Sequence, residues 1–182
     1  MKKITLLTFV LICSFYACNS SGQARHQEGK AQLEETIQAL HTQIIAQKDV
    51  TKEAEAAKEL VAKSQLFAKQ FPQDSMTATY LFRAADVSRG LGDYTLAIDL
   101  WGKVNSEYSN FKRAPDALFL QGFTYDKDLK NAAQAKLHYQ QFLKKYPAHP
   151  FSKDVSLMLQ YLDNDNPPEE LIREFKEKSG EK

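Results

Sequence analysis

The sequence has few of the residues that break helices or cross-link small folds. In 182 residues, glycine occurs seven times, proline six times and cysteine only twice. The prolines stand mostly between stretches of apolar periodicity, which is typical of a few long elements joined by short connections. From residue 31 onward, the apolar residues recur at steps of three and four rather than alternating. The sequence therefore predicts a chain of helices.

Neither cysteine is available for an internal disulfide once the protein is exported. Lys2 and Lys3 precede an uninterrupted apolar or small stretch over residues 4–17, which is typical of an export signal. This stretch is too short for a comfortable transmembrane helix, which needs about 20 apolar residues. Cleavage after residue 17 removes Cys13 and leaves Cys18 alone, so we expect stability to come from core packing.

Neither positive nor negative charge predominates in the sequence. It has 24 basic and 23 acidic residues, and removal of the two lysines in the signal leaves 22 basic residues against 23 acidic ones, a net charge of −1. Nothing in this balance attracts nucleic acid. The content of 43% hydrophobic and 26% charged residues is that of an ordinary globular domain.

Motifs that carry catalysis, such as a nucleophile elbow, a phosphate-cradling glycine loop or a cysteine–histidine pair, are missing from the sequence. Residues 163–166 resemble the start of a calcium loop, but Pro168 stands where such a loop requires glycine. Asp126 and Asp128 flank Lys127, where a solvated turn is the simpler interpretation. The histidines show no metal-ligand spacing and are expected on the surface or between helices: His26, His41, His138 and His149. We therefore predict a protein without enzymatic activity, metal or cofactor.

Apolar positions repeat with a period of 37 or 38 residues, which indicates a repeat architecture. Five columns share this spacing: Leu60, Ala97 and Ala135; Phe67, Val104 and Phe142; Phe71, Tyr108 and Tyr146; Trp101 and Tyr139; and Leu81, Phe119 and Leu157. A repeated unit of this length is predicted to bury its apolar face against the neighbouring units.

Each unit reads as two helices, and the second ends at an aromatic residue followed by a breaker, as at Tyr146-Pro147. Asp93 and Asn131, one period apart, are predicted N-caps of second helices. Gly92 precedes Asp93 and can adopt left-handed backbone angles. The run Asn-Pro-Pro-Glu at residues 166–169 predicts the start of a final helix.

The segments 92–108 and 135–150 resemble tetratricopeptide repeats, and more narrowly the elongated repeats of periplasmic lipoproteins. Small residues occur where paired helices touch in that family: Ala84 and Gly122 in first helices, Ala97 and Ala135 in second helices. The period exceeds the usual 34 residues, and residues 125–129 replace the glycine turn, so we expect a loop of different shape there. The resemblance covers about residues 50–162. It implies an all-α, TPR-like α-solenoid over residues 31–182, with about three helix-turn-helix repeats and a C-terminal capping helix.

Phe15-Tyr16-Ala17-Cys18 resembles a lipobox, in which the cysteine thiol takes diacylglycerol. Ordinary signal peptidase requires a small residue at position −3, which Phe15 is not. Phe15 and Tyr16 also depart from the leucine and the small residue that the lipobox prefers. The resemblance implies a lipoprotein signal peptide over residues 1–17 and lipidation of Cys18. Residues 18–30 have almost no large apolar side chain and are predicted to form a flexible tether.

The predicted helix that carries Phe119 and Phe123 is apolar on more than one side, so something must cover the surplus face. Packing between successive repeats is one interpretation. The other is a groove for a partner helix or peptide, lined by Tyr80, Arg83, Phe119, Phe123 and Asp126.

The resemblance implies a non-catalytic periplasmic scaffold, held to the outer membrane by its lipid, that helps to assemble envelope proteins. It is similar to the repeat lipoprotein of the outer-membrane β-barrel assembly machine, whose components would then be among its partners, and we expect a monomer. A second interpretation is that the apolar stripe from Leu33 to Ile44 forms an oligomerising coiled coil, as in coordinators of division and envelope constriction, rather than a first repeat helix. A third is capture of a small ligand or glycan for an outer-membrane transporter, with Trp101 and the tyrosines stacking on sugars. Against it, Trp101 falls on a packing column.

Overall fold

The computed structural model describes residues 27–47, 50–163 and 173. The predicted signal peptide, Cys18, residues 19–26 of the tether and the helix predicted to begin after residue 166 lie outside the described residues. None of the described helices is long and apolar enough to cross a membrane.

Seven α-helices and one short 3₁₀ helix follow one another along the described chain. We number the helices in chain order: α1 over residues 27–46, then after the 3₁₀ helix Val50–Glu53, α2 Ala54–Gln70, α3 Thr77–Gly90, α4 Tyr94–Glu107, α5 Ala114–Lys127, α6 Ala132–Lys145 and α7 Ser152–Asp163. From α2 onward, each helix packs against the next. The described chain is therefore an all-α, TPR-like α-solenoid of three helix pairs followed by α7, as predicted. We call α1, α3, α5 and α7 the first helices and α2, α4 and α6 the second helices.

The turns between helix pairs repeat the same backbone geometry. The second helices end at Phe71, Tyr108 and Tyr146, whose φ angles are −129°, −121° and −132° and whose ψ angles are 55°, 47° and 55°. Each of these residues donates its N–H to the carbonyl oxygen four residues earlier, and each accepts a bond from the N–H three residues later. The predicted ends of the second helices are thus confirmed, and the same kind of turn follows each of them.

The turns within the second and third helix pairs also share one capping arrangement. Asp93 and Asn131 cap α4 and α6, and each side chain accepts a hydrogen bond at 3.1 Å from the backbone N–H three residues later, as predicted. Gly92 has a φ of 83°, and Lys130 has a φ of 52° at the corresponding position. The loop after α5 therefore differs less than predicted, because Lys130 supplies the left-handed residue without a glycine.

The columns of the repeat lie mostly in the core, as predicted, but Phe119, Leu157 and the three aromatic residues that follow the second helices are only half-buried. Their second-helix members are fully buried: Leu60, Phe67, Ala97, Val104, Ala135 and Phe142. Trp101 and Tyr139, in the same helices, are also buried. A Cβ atom at Gly122 would come within 2.8 Å of the Tyr139 ring. The small residue predicted at this position is what allows α5 and α6 to approach each other.

Helix α1 already includes residues 27–30, which the sequence analysis assigned to the tether. Lys30 anchors this first turn, since its ammonium lies 2.5 Å from the Asp74 carboxylate in the turn after α2 and 3.8 Å from Glu34. Further along α1, Leu33 and Ile37 pack in a cluster with α2 and α3. The apolar stripe of α1 is thus covered by its own chain, as expected of a first repeat helix. An oligomerising coiled coil would need that same stripe.

Candidate partner-binding face

The five residues predicted to line one groove fall into two separate groups. Tyr80 and Arg83 lie on α3 and face α1. Only 4% of Tyr80 is exposed, its ring meets Phe67 edge-on at a centroid distance of 5.0 Å, and Arg83 donates a hydrogen bond to Gln38 at 3.3 Å. Tyr80 is therefore a core residue, because α1 covers the surface that the sequence analysis left open.

Phe119, Phe123 and Asp126 lie on α5, and the two phenylalanines form a surface with a third ring. The Phe119 ring centroid lies 5.7 Å from that of Phe123 and 5.2 Å from that of Phe151, the residue directly before α7, and 41% of Phe151 is exposed. We call Phe119, Phe123 and Phe151 the aromatic strip. Sequence reasoning missed Phe151, because its counterpart one period earlier is Arg113 and it belongs to no apolar column.

The inner side of the strip is part of the core. Phe119 packs against Tyr139 and Phe142 on α6, with centroid distances of 6.4 and 6.2 Å. Phe123 is also half-buried, but its neighbours are Phe119 and the guanidinium of Arg89, which lies 5.1 Å from its ring centroid. Each of the two interpretations of this face thus applies to a different residue. Phe119 packs between helices, and Phe123 presents its ring toward a charged rim.

The acidic residues at the end of α5 have partners within the chain. Asp126 accepts a hydrogen bond from the Tyr139 hydroxyl at 3.3 Å, and burial together with this carboxylate raises the pKa of Tyr139. Asp128 forms an ion pair with Arg89 at 2.7 Å. The solvated turn predicted here is therefore a junction that ties α5 to α3 and α6.

A cleft of about 360 Å³ opens beside this junction, between α3, α4 and α5. We call it the acidic cleft, and it is lined by Asp86, Arg89, Gly90, Tyr94, Trp101, Leu120 and Asp128. Part of the Asp86 side chain is exposed to solvent. The protein atoms around its carboxyl group nevertheless disfavour the charged form, and this desolvation raises the pKa of Asp86 to about 6. The sequence gives no signal for Asp86, which is the only acidic residue of α3 and belongs to no motif.

Trp101 lies at the inner side of the acidic cleft and is 1% exposed. Its ring packs against Phe82 with a centroid distance of 6.5 Å, so neither face is open to stack on a sugar. Among the described residues, the buried indole Nε1 makes no hydrogen bond of ordinary geometry, but it lies close enough to the Asp86 carboxyl group to favour its charged form. The burial of Trp101 removes one of the rings that were expected to stack on a glycan.

The described histidines take part in packing. His138 contacts the carbonyl oxygen of Gln134 at 2.8 Å, and His149 packs edge-on against Phe142 with a centroid distance of 5.3 Å. Burial lowers the pKa of His41. Within the described ranges, no group of three or more histidine, cysteine, aspartate or glutamate side chains is placed to hold a metal ion.

Comparison with known families identifies one of the helix pairs. Residues 116–149 match the model of the tetratricopeptide repeat family, and this span runs from α5 through α6 to the turn before α7. The comparison with curated proteins finds no match. Tetratricopeptide repeats suggest a role in protein–protein interaction. The chain is therefore a helical-repeat protein that carries TPR-like repeats, with its aromatic strip and acidic cleft on and beside the α5 helix of the matched unit.

Proposed function

We propose that this protein is a non-catalytic scaffold that binds partner proteins of the cell envelope through the aromatic strip. The observation that carries the proposal is the contact among Phe119, Phe123 and Phe151, three rings that stay partly exposed along two first helices. Aromatic residues are enriched at the centres of protein interfaces, where a polar rim commonly surrounds them. Arg89 and Asp128 supply such a rim here.

The strip suits an extended peptide or a helix laid across α5 and α7. The central ring, Phe119, is held from beneath by Tyr139 and Phe142, and Phe123 and Phe151 each pack against Phe119, so the strip is ordered when no partner is bound. A surface that is already ordered loses little conformational entropy on binding. This rigidity supports recognition of a partner segment by a preformed face.

We propose that a lipid on Cys18 holds this scaffold to the outer membrane, on the periplasmic side. Residues 19–26 separate Cys18 from the first described residue of α1. Eight residues span at most about 30 Å, so the start of α1 would stay within that distance of the membrane and the scaffold would stay near proteins embedded there. Such tethering raises the effective concentration of neighbouring partners.

The partner class that we propose is the envelope proteins, components of the β-barrel assembly machine among them. The repeats and the lipobox together support this assignment, since both features resemble those of assembly lipoproteins. The proposed role is to hold an assembly partner in place, with no chemical step.

Purification from membranes after mild crosslinking tests the binding face. Wild-type protein is compared with Phe123→Ala and with a matched control, Leu137→Ala, which removes a 45% exposed side chain from α6. We expect the wild type and the control to retain the same envelope protein and Phe123→Ala to lose at least four-fifths of it. Equal recovery with all three proteins would exclude the strip as the binding face.

The anchor has a separate test. Cys18→Ser is expected to abolish palmitate labelling and to release the protein from the membrane fraction. Retained labelling and unchanged membrane association would refute lipidation at Cys18 while leaving the binding face untouched.

A further inference from the structure

The acidic cleft adjoins the aromatic strip through a single side chain. Arg89 lies over the Phe123 ring, lines the cleft and forms an ion pair with Asp128. A partner that covers Phe123 would therefore also reach the mouth of the cleft.

Asp86 is the charged residue of the cleft that forms no ion pair with any described residue. Arg89 is held by Asp128 at 2.7 Å, and Arg113 pairs with Asp116 at 3.1 Å, with its guanidinium 3.7 Å from the centre of the Phe82 ring. Both arginines act on Asp86 only from a distance, and among the described residues none forms an ion pair with it. The charges that line the cleft sum to −1, from two aspartates and one arginine.

The surroundings of Asp86 indicate binding rather than structural support. Desolvation disfavours its charged form, so the carboxylate destabilises the folded protein at neutral pH. Beside it, the buried indole N–H of Trp101 makes no hydrogen bond of ordinary geometry with any described residue and acts on the Asp86 carboxyl group only from a longer distance. Unsatisfied polar groups that gather in a cleft are typical of sites that a ligand completes.

We propose that the acidic cleft binds one lysine or arginine side chain of the partner that lies across the aromatic strip, with Asp86 as the anionic contact. The inference rests on the proposed function, since the strip brings the partner to the cleft. A volume of about 360 Å³ is at the small end of ligand pockets and accommodates one long side chain. The bound cation would supply the ion pair that Asp86 lacks and leave the Arg89–Asp128 pair intact.

Trp101 provides a direct readout, because it is the only tryptophan in the chain. The full-length protein in mild detergent is titrated with N-acetylarginine amide, and the indole N–H resonance is followed by NMR at pH 7.5. We expect a saturable shift with a dissociation constant in the millimolar range, as befits a single side chain. The neutral analogue N-acetylcitrulline amide and an equal concentration of sodium chloride should each be at least tenfold less effective.

Two variants identify the contact. Asp86→Asn should weaken binding of the arginine amide at least tenfold, whereas Asp99→Asn, which removes an exposed charge from α4, should leave it unchanged. Circular dichroism checks that both variants fold. Binding to Asp86→Asn with unchanged affinity, an equal response to the citrulline amide or the absence of a saturable shift would each overturn the inference.

The outcome is independent of the test of the proposed function. If the arginine amide fails to bind while Phe123→Ala still loses its envelope partner, cation binding in the acidic cleft is refuted and the proposed scaffold function is retained. If the amide binds but Phe123→Ala keeps its partner, the aromatic strip is not the partner-binding face. The claim that the bound side chain belongs to a partner on the strip is then refuted as well.

Discussion

Gly92 and Lys130 hold the same place in successive helix pairs, one residue before the N-cap of the second helix, and both have a positive φ, of 83° and 52°. Glycine adopts this conformation without strain, whereas a residue with a Cβ atom loses roughly 1 kcal/mol. The turn between α5 and α6 thus stores strain that the turn between α3 and α4 does not.

Replacement of Lys130 by glycine should relieve this strain. We expect Lys130→Gly to raise the free energy of unfolding by about 0.5–1 kcal/mol, and Gly92→Ala to lower it by about 1 kcal/mol. Urea denaturation followed by circular dichroism measures both. Lys130→Ala is the control, since it removes the charge but keeps the Cβ atom and should bring no gain. A destabilised Lys130→Gly would contradict the conformational account.

The contact between Gly122 and Tyr139 makes a second prediction. An alanine Cβ at residue 122 would lie 2.8 Å from Tyr139 Cδ1 and 3.1 Å from His138 Cβ, so the two helices would have to move apart. We expect Gly122→Ala to lower the free energy of unfolding by about 1–3 kcal/mol. Gly29→Ala is the matched control, because no described atom beyond its own stretch of helix lies within 4 Å of the added methyl group, and alanine favours a helix. Equal stability of the two variants would argue against close packing of α5 and α6.

The raised pKa of Asp86 predicts a pH-dependent effect on stability. Its folded-state value of about 6 lies above the ordinary 3.8, so the folded protein holds this proton more tightly than the unfolded chain. The resulting stabilisation is complete below pH 3.8 and is lost as the pH rises through 6. Asp86→Asn should therefore be more stable than the wild type at pH 7.5, by about 1 kcal/mol after allowance for solvent screening, and equally stable near pH 4.

Thermal or urea unfolding at these two pH values checks the Asp86 prediction. Asp99→Asn serves as the control and should show little change at either pH, since that exposed side chain does not line the acidic cleft. A wild type more stable than Asp86→Asn at pH 7.5 would show that the ionised Asp86 stabilises the folded protein through a partner, whereas desolvation alone would destabilise it.

The two phenylalanines of α5 should differ in their contribution to stability. Phe119→Ala removes contacts with Tyr139, Phe142 and Phe151, and we expect it to lower the free energy of unfolding by about 2–3 kcal/mol. Phe123→Ala removes a half-buried ring at the rim and should lower it by about 1 kcal/mol or less. Urea denaturation ranks the two variants. A larger loss for Phe123→Ala would place its ring in the core and remove it from the binding face.

Much of the fold followed from the sequence because its signals are local or periodic. The columns through Leu60 and Phe67 predicted core positions, since one period of the repeat moves a residue to the same place in the next pair. Asp93 and Asn131 were recognisable as caps because a short polar side chain before an apolar helix has one common use.

The binding face was only partly predictable, because it depends on which helix covers which surface. Tyr80 was assigned to the groove, yet α1 buries it from more than thirty residues away in the chain. Phe151 and Asp86 carry no periodic signal, and the cleft exists only where three helices meet. Lys130 was missed for a different reason, since lysine is not a residue that favours a left-handed turn.

Site-specific photo-crosslinking in living cells tests the binding face most directly. The photoreactive amino acid p-benzoylphenylalanine replaces Phe123 in one strain and Leu137, on the opposite helix of the same pair, in another. We expect a discrete crosslinked adduct with an envelope protein from residue 123 and no such adduct from residue 137. The absence of an adduct at residue 123, or the same adduct from both positions, would contradict the claim that the aromatic strip binds a partner.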